Sequence, residues 1–396
     1  MIRLIKFIFH IEHLFVVIVT FILLGMLYLI TFNVSFLSPV AKALSEFSVT
    51  DIFFEIENSG TAIDTCDVIT IVDMTELHDR GDIAELINET GMCNPICVGV
   101  DLIFEGEKDD KLGNELLEDA VQGLSGKSVY TTKLTNYSTK KNQFSDKVSS
   151  YFTNRLQVDE GFANITDNME KNRIREASLS LRYRDTLIYS FPVRISMMAG
   201  HEYSSKSLSK NILINYRNVA IPVIKYDEII ENTDLIDNHI VLIGTTHEEQ
   251  DMHLTPLGKM PGIKIQAYTL LTLLERKPIK SVPSWVNFIV AFLFCYIVEV
   301  LVTGAYCLLS RKRTCSVRVF FAESNVVRDT TLLIMILLFC LLVYALFIRY
   351  SIVFEATVTL ALLAIFPEGR EMYAAIAKTI NYRMKGKFKG KSLFAE

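Results

Sequence analysis

Four long apolar stretches interrupt an otherwise mixed sequence: Leu14–Ile30, Val286–Leu309, Thr330–Ile348 and Ile352–Phe366. Each approaches the ~20 apolar residues that a helix needs to cross the hydrocarbon core of a bilayer. The fourth carries Glu355 near one end, where a carboxylate can still reach the interface. Between the first and second stretches lie roughly 250 residues of ordinary soluble-protein composition, enough for one large domain or two small ones. The expected layout is a first span within residues 1–31, a soluble domain over 32–284, three spans over 285–370 and a tail over 371–396.

Inside the soluble block the pattern alternates between short apolar runs and helical spacing. Ser38–Phe47 reads as an amphipathic helix leaving the membrane, and Ile52–Ile56 as a strand. Val68–Asp73 is an apolar run, Asp79–Glu89 has helical spacing, Ile96–Phe104 is a second run, Leu112–Leu124 is helical again, and Ser128–Thr132 is a third strand. That rhythm predicts a mainly parallel sheet with crossover helices. Lys133–Asp159 reads as loop with local structure, and Asp159–Arg175 is turn-rich. Strand Ser178–Tyr183, helix Ile188–Ala199, strand Asn211–Tyr216, short helix Tyr226–Glu231, strand Ile240–Ile243 and helix Ile263–Leu274 complete the block. The predicted fold class is an α/β extracytoplasmic domain plus four transmembrane helices, one N-terminal and three C-terminal.

Charge sets the sidedness. Arg3 and Lys6 precede the first span; Arg311, Lys312, Arg313, Arg318 and Arg328 crowd the loop after the second; Lys378, Arg383, Lys385, Lys387, Lys389 and Lys391 follow the fourth. Lys and Arg close to span ends stay in the cytoplasm. Both termini are therefore expected inside, with the soluble block outside. A cleaved signal peptide is the competing reading of the first span. Its apolar run is longer than a typical h-region, and no small-x-small site follows it directly. The net charge is −5 while the basic residues collect beside the spans, so the outer block is acidic, which argues against nucleic acid as a partner. The basic tail can lie on anionic lipid, or serve only as a stop-transfer flank.

Of seven cysteines, Cys295, Cys307, Cys315 and Cys340 lie in or beside spans and read as small apolar residues. Cys66, Cys93 and Cys97 fall in the outer block, where disulfides persist. If the strands following Cys66 and Cys93 are parallel neighbours, their starts lie side by side and the two can bridge. Cys93 and Cys97 alone make a poor metal site.

The outer block resembles the second type of CHASE domain, an extracytoplasmic sensory module of bacterial signalling receptors. The resemblance rests on Ile69–Asp73, Val98–Phe104, Gly161–Asn164 with Asp167 and Arg173–Arg175, Ile240–Thr246, Asp251, Thr255–Leu257 and Met260–Ala267, in that order, from about Asp51 to Trp285. One span before and three after is also that family's usual arrangement. Two departures stand out. Only Arg80-Gly81-Asp82-Ile83 occupies the place of a Trp-Pro-rich stretch, and no cytoplasmic catalytic domain follows within the roughly thirty residues after the last span.

Ligands of open parallel sheets bind outside the carboxyl ends of the strands. Asp73, Asp101, Thr245 and Thr246 sit at such ends, with Asp251 in the next loop, and together they can line one crevice for a cation or a polyol-like ligand. The competing reading is that Asp73 and Asp101 cap helices or hold loops. His247, Asp251 and His253 have donor spacing for zinc, but three ligands in one loop make a weak site. No nucleophile elbow, phosphate loop or other catalytic signature is present. The sequence thus predicts no enzyme, cofactor or metal. It predicts an inner-membrane receptor subunit whose partners are the bilayer and a separate cytoplasmic signalling protein, compatible with a homo-oligomer. The alternative is an assembly component scaffolding envelope proteins.

Overall fold

A computed structural model describes residues 2–33, 48–59, 64–165, 173–217, 219–275, 279–310, 325–383 and 393. The expected helix at Ser38–Phe47, Asp167, Cys315, most of the basic loop after the second span and the basic tail beyond Arg383 lie outside the described residues. The chain divides into two compact units, 50–279 and the remainder.

The outer unit is built on a nine-stranded sheet. In chain order its elements are β1 (Ile69–Asp73), α1 (Arg80–Met92), β2 (Cys97–Val100), α2 (Lys111–Gly123), β3 (Ser128–Ser138), β4 (Gln143–Val148), β5 (Asp159–Phe162), β6 (Ser180–Tyr183), β7 (Thr186–Tyr189), α3 (Phe191–Met198), β8 (Val223–Lys225), β9 (Ile240–Gly244) and α4 (Gly262–Leu274). The strands run β8-β1-β9-β2-β3-β4-β6-β7, and β5 pairs with β3. From β8 to β3, and between β3 and β5, every pair is parallel. β3 pairs antiparallel with β4, and β6 with β7.

Successive strand residues face opposite sides, so the sheet buries two layers of side chains. Val72, Val98, Val100, Tyr130, Val241 and Ile243 meet Ile83, Leu86 and Ile87 of α1 and Leu117, Ala120 and Val121 of α2. The opposite face receives α3 and α4. A Cβ added at Gly99 would lie 2.5 Å from Ile195 and 2.8 Å from Phe191, and one at Gly244 3.1 Å from Ile263. Gly161 of β5 is tighter still, because the obstacle is backbone: its Cβ would lie 2.5 Å from Phe191 Cα and 2.7 Å from its N. Gly161→Ala must therefore push β5 away from α3. The expected cost is about 2–3 kcal/mol, read as a lower urea midpoint of the outer unit in micelles.

Several local expectations change, beginning with the turn-rich segment, whose Asp159–Phe162 is the strand β5, and with Ile188 and Tyr189, which end β7 ahead of the helix. Ile52–Ile56 belongs to a helix, Val49–Asn58, because Val49, Phe53 and Phe54 are buried while Ile52 and Ile56 are exposed, which is helical and not alternating spacing. Arg175 fixes this helix with two bonds to Asp51, 2.8 and 2.7 Å long. Lys133–Asp159 contains the second half of β3 and all of β4. That ribbon is largely exposed, so it lacks the apolar alternation that marks a half-buried strand. Tyr226–Glu231 forms turns and no helix.

The Cys66–Cys93 pairing loses its premise. β9 lies between β1 and β2, which separates their starts by two strand spacings, ~9–10 Å, beyond the reach of a disulfide. Both thiols are free. Cys97 points to the α3 face, near the Ile195 carbonyl, and burial pushes its thiol up to about 12.

The other unit contains four long helices: Ile11–Asn33, Ser284–Ser310, Val326–Tyr350 and Thr357–Arg383. Among the described residues three segments are long and apolar enough to cross a membrane, Ile5–Thr31, Ser284–Leu308 and Val326–Tyr350. The expected fourth span, Ile352–Phe366, is divided between a short strand (Ile352–Val353) and the start of the last helix. That helix then continues through Pro367, Glu368, Arg370 and Glu371. All four contribute to one core: Val16 and Val17, Cys295 and Val298, Leu332 and Met335, Leu363 and Phe366.

Candidate functional site

The carboxyl ends of β1, β9 and β2 lie side by side. Asp73 ends β1 opposite Gly244, and the Asp101 N–H donates to Ile243 O at 2.8 Å. The segment Gly244–Thr246 therefore leaves the sheet between the two acids. Val72 and Val100 face α1 and α2, so Asp73 and Asp101, one residue on, project toward the α3 and α4 side.

The two carboxylates have different surroundings. Asp73 Oδ1 accepts from the Thr75 N–H (3.1 Å), the Thr75 hydroxyl (2.5 Å) and the Thr246 N–H (3.2 Å). The Thr246 N–H also reaches Thr75 Oγ1 at 3.0 Å. Oδ2 lies 3.2 Å from Nδ1 of His247, which is exposed. Burial would raise this carboxyl, but the hydrogen bonds from Thr246 and Thr75 outweigh it and hold the group below the usual carboxylate range. Asp73 thus knots the loop after β1 to the loop after β9.

Asp101 is unlike it. Burial and the negative charge of Asp251 push its carboxyl up to about 7, against a hydrogen bond from Thr131 that favours the charged form. Asp251 accepts from the Gly262 N–H at 2.9 Å, at the first turn of α4. A Cβ at Gly262 would lie 2.6 Å from that same oxygen, which explains glycine there. Asp101 and Asp251 therefore lie close enough to repel each other, and it is the Asp101 carboxyl that is pushed toward neutral pH.

The structure brings Asp73 to Thr246 and Asp101 to Asp251, on either side of the same strand. Thr245 is part-buried between them. The zinc-like trio separates: His247 goes to Asp73, and His253 lies 3.4 Å from Asp251. Among the described residues no group of three metal-type donors forms. A small, partly enclosed cavity lies elsewhere, where Phe162, Ser190 and Gln266 contribute to its wall. The Ser190 hydroxyl is buried there without a hydrogen-bond partner among the described residues.

Sequence reasoning missed Thr75 and Thr131. The first was legible as Asp73-Met74-Thr75, a spacing at which an Asp side chain bonds the backbone two residues on. The second depends on which strand lies beside β2. It also missed Arg80, buried at the start of α1, whose guanidinium donates to Asn114 Oδ1 and to Gly106 O and lies 4.9 Å from the Tyr151 ring centre.

A family profile described as the CHASE2 domain matches residues 19–301. No curated protein and no solved structure gives a significant match. The matched stretch is more than half of the chain and includes the entire outer unit. The chain belongs to the CHASE2 domain family, an extracytoplasmic sensory module of signalling receptors.

Proposed function

We propose that this chain is a sensory receptor subunit of a bacterial inner membrane. Its outer unit lies outside the cytoplasm and binds a signal or a partner. Four helices cross the bilayer, and both termini are cytoplasmic. The chain itself is not an enzyme and holds no cofactor; a separate cytoplasmic protein takes up the signal. The observation that carries this reading is the CHASE2 match over residues 19–301, which begins within one apolar helix and ends within the next. The basic residues beside the helix ends support the orientation. Signalling requires that the ligand bind two conformations with different affinity.

The test is purification of the intact protein in mild detergent from its own host, with the accompanying proteins identified by mass spectrometry. A stoichiometric cytoplasmic kinase, cyclase or regulator is expected. Recovery of envelope proteins alone, held on the outer unit, would replace the receptor reading with a scaffold.

A further inference from the structure

The membrane unit buries an ionisable cluster that the sensory reading does not use. Glu299, on the helix Ser284–Ser310, is completely buried. Its Oε1 lies 3.3 Å from Nδ1 of the equally buried His13 and accepts the Thr303 hydroxyl at 2.5 Å. Its Oε2 lies 3.3 Å from Nε of Arg370 on the last long helix. His13 turns its other ring nitrogen to the Phe7 carbonyl at 3.1 Å. A second ion pair joins the same helix to the third, Arg328 to Glu371 at 2.8 Å.

The depth of the cluster follows from the chain. Lys280–Ser281 pairs with Ile352–Val353 just ahead of the second and last long helices, so the two helices start level. At 1.5 Å per residue, Glu299 lies ~22 Å beyond Ser284 and Arg370 ~20 Å beyond Thr357. Both side chains therefore reach the same level, in the inner half of a hydrocarbon core of ~30 Å, close to where His13 directly precedes the apolar run Leu14–Ile30. A lone charge there is strongly disfavoured, and a paired one far less so. Gly369 sits one residue before Arg370, and a Cβ on it would lie 2.9 Å from Thr20 Cα. The last helix can thus approach the first closely at this level, as small residues allow in membranes.

We propose that Arg370 enters the bilayer as the partner of Glu299, and that this pair makes Thr357–Arg383 a membrane-crossing helix although its own sequence is too polar to insert alone. The proposal rests on the four-crossing reading above. It also makes the cluster the joint at which the two helices leading from the outer unit grip the helix leading to the tail.

The test fuses alkaline phosphatase or green fluorescent protein after Glu396 of the full chain, and reads phosphatase activity against fluorescence per expressed protein in intact cells. Phosphatase is active only outside the cytoplasm, and the fluorescent protein reports from inside. The parent is expected to fluoresce; a parent that reports from outside overturns the four-crossing reading itself. Given a fluorescent parent, Glu299→Leu is expected to raise the phosphatase ratio about tenfold or more, because the carboxylate beside the Arg370 guanidinium is lost. Adding Arg370→Leu to that variant is expected to restore the parental ratio. A Glu299→Leu variant that still reports from inside, or a double variant that still reports from outside, overturns the pairing.

Discussion

Replacing Arg80 by methionine is expected to lower the unfolding free energy of the outer unit by about 3 kcal/mol, although methionine fills much of the same space. Arg80 is 3 % exposed. Its guanidinium binds Asn114 Oδ1 and, at 2.6 Å, Gly106 O. Hydrogen bonds to a charged group contribute roughly 1.5–3 kcal/mol each, and the Tyr151 ring adds roughly 1 kcal/mol to a desolvated cation. Against this stands the cost of burying a cation that cannot lose its proton. The gain wins because the fork grips two separate segments. Asn114 lies in α2, and Gly106 in the segment between β2 and α2, while Arg80 itself opens α1. Hydrogen exchange of the Val98–Val100 amides in micelles measures the loss, since such central strands open only with the whole unit. Arg80→Lys should recover little, because an ammonium cannot reproduce the planar fork. A methionine variant as stable as the parent would mean that desolvation of the charge outweighs its bonds.

Those residues also show where sequence reading stops. The apolar helices and β9, Ile240-Val241-Leu242-Ile243, were legible because their pattern depends on composition over a local window. The helix Val49–Asn58 is not legible as a helix, because Ile52-Phe53-Phe54-Glu55-Ile56 is apolar on nearly every position and only burial separates its two faces. The acids at strand ends, Asp73 and Asp101, were identifiable as a pair of positions. Their roles were not, because each is set by a residue distant in sequence: Thr246 for one, Asp251 for the other. Strand order was invisible for the same reason. Insertion of β9 between β1 and β2 both removed the argument for a Cys66–Cys93 bridge and placed Gly244 between the two acids. Arg370 carries no local signal of its role, because the carboxylate beside it belongs to Glu299 on another helix.

Asp101→Asn is expected to stabilise the outer unit at pH 8 by about 2 kcal/mol, roughly half of what the shift would give for a fully enclosed carboxyl because Asp101 is only half-buried, and to have no effect at pH 4 or below. In the folded chain the carboxyl is pushed up to about 7 by burial and by Asp251, from an ordinary value of 3.8. Between those two values the folded state keeps a proton that the unfolded chain has released. Stability from this group is therefore complete below pH 4, falls as pH rises through 7, and is level above that. Asparagine is neutral at every pH and can still accept the bond from Thr131, so it removes the slope. Asp73→Asn should act in the opposite sense. Its carboxyl is held below the ordinary value by Thr246 and Thr75 after burial is overcome, so it stabilises at neutral pH and that contribution is lost on acidification. Pulse proteolysis in urea at pH 4, 6 and 8 separates the two acids. A flat profile in the parent, or an Asp101→Asn variant destabilised at pH 8, would show that the Asp101 carboxylate is ionised and needed. Asp101 would then be the acid at this sheet edge that offers a charge to a cationic ligand, while Asp73 remains committed to its loops.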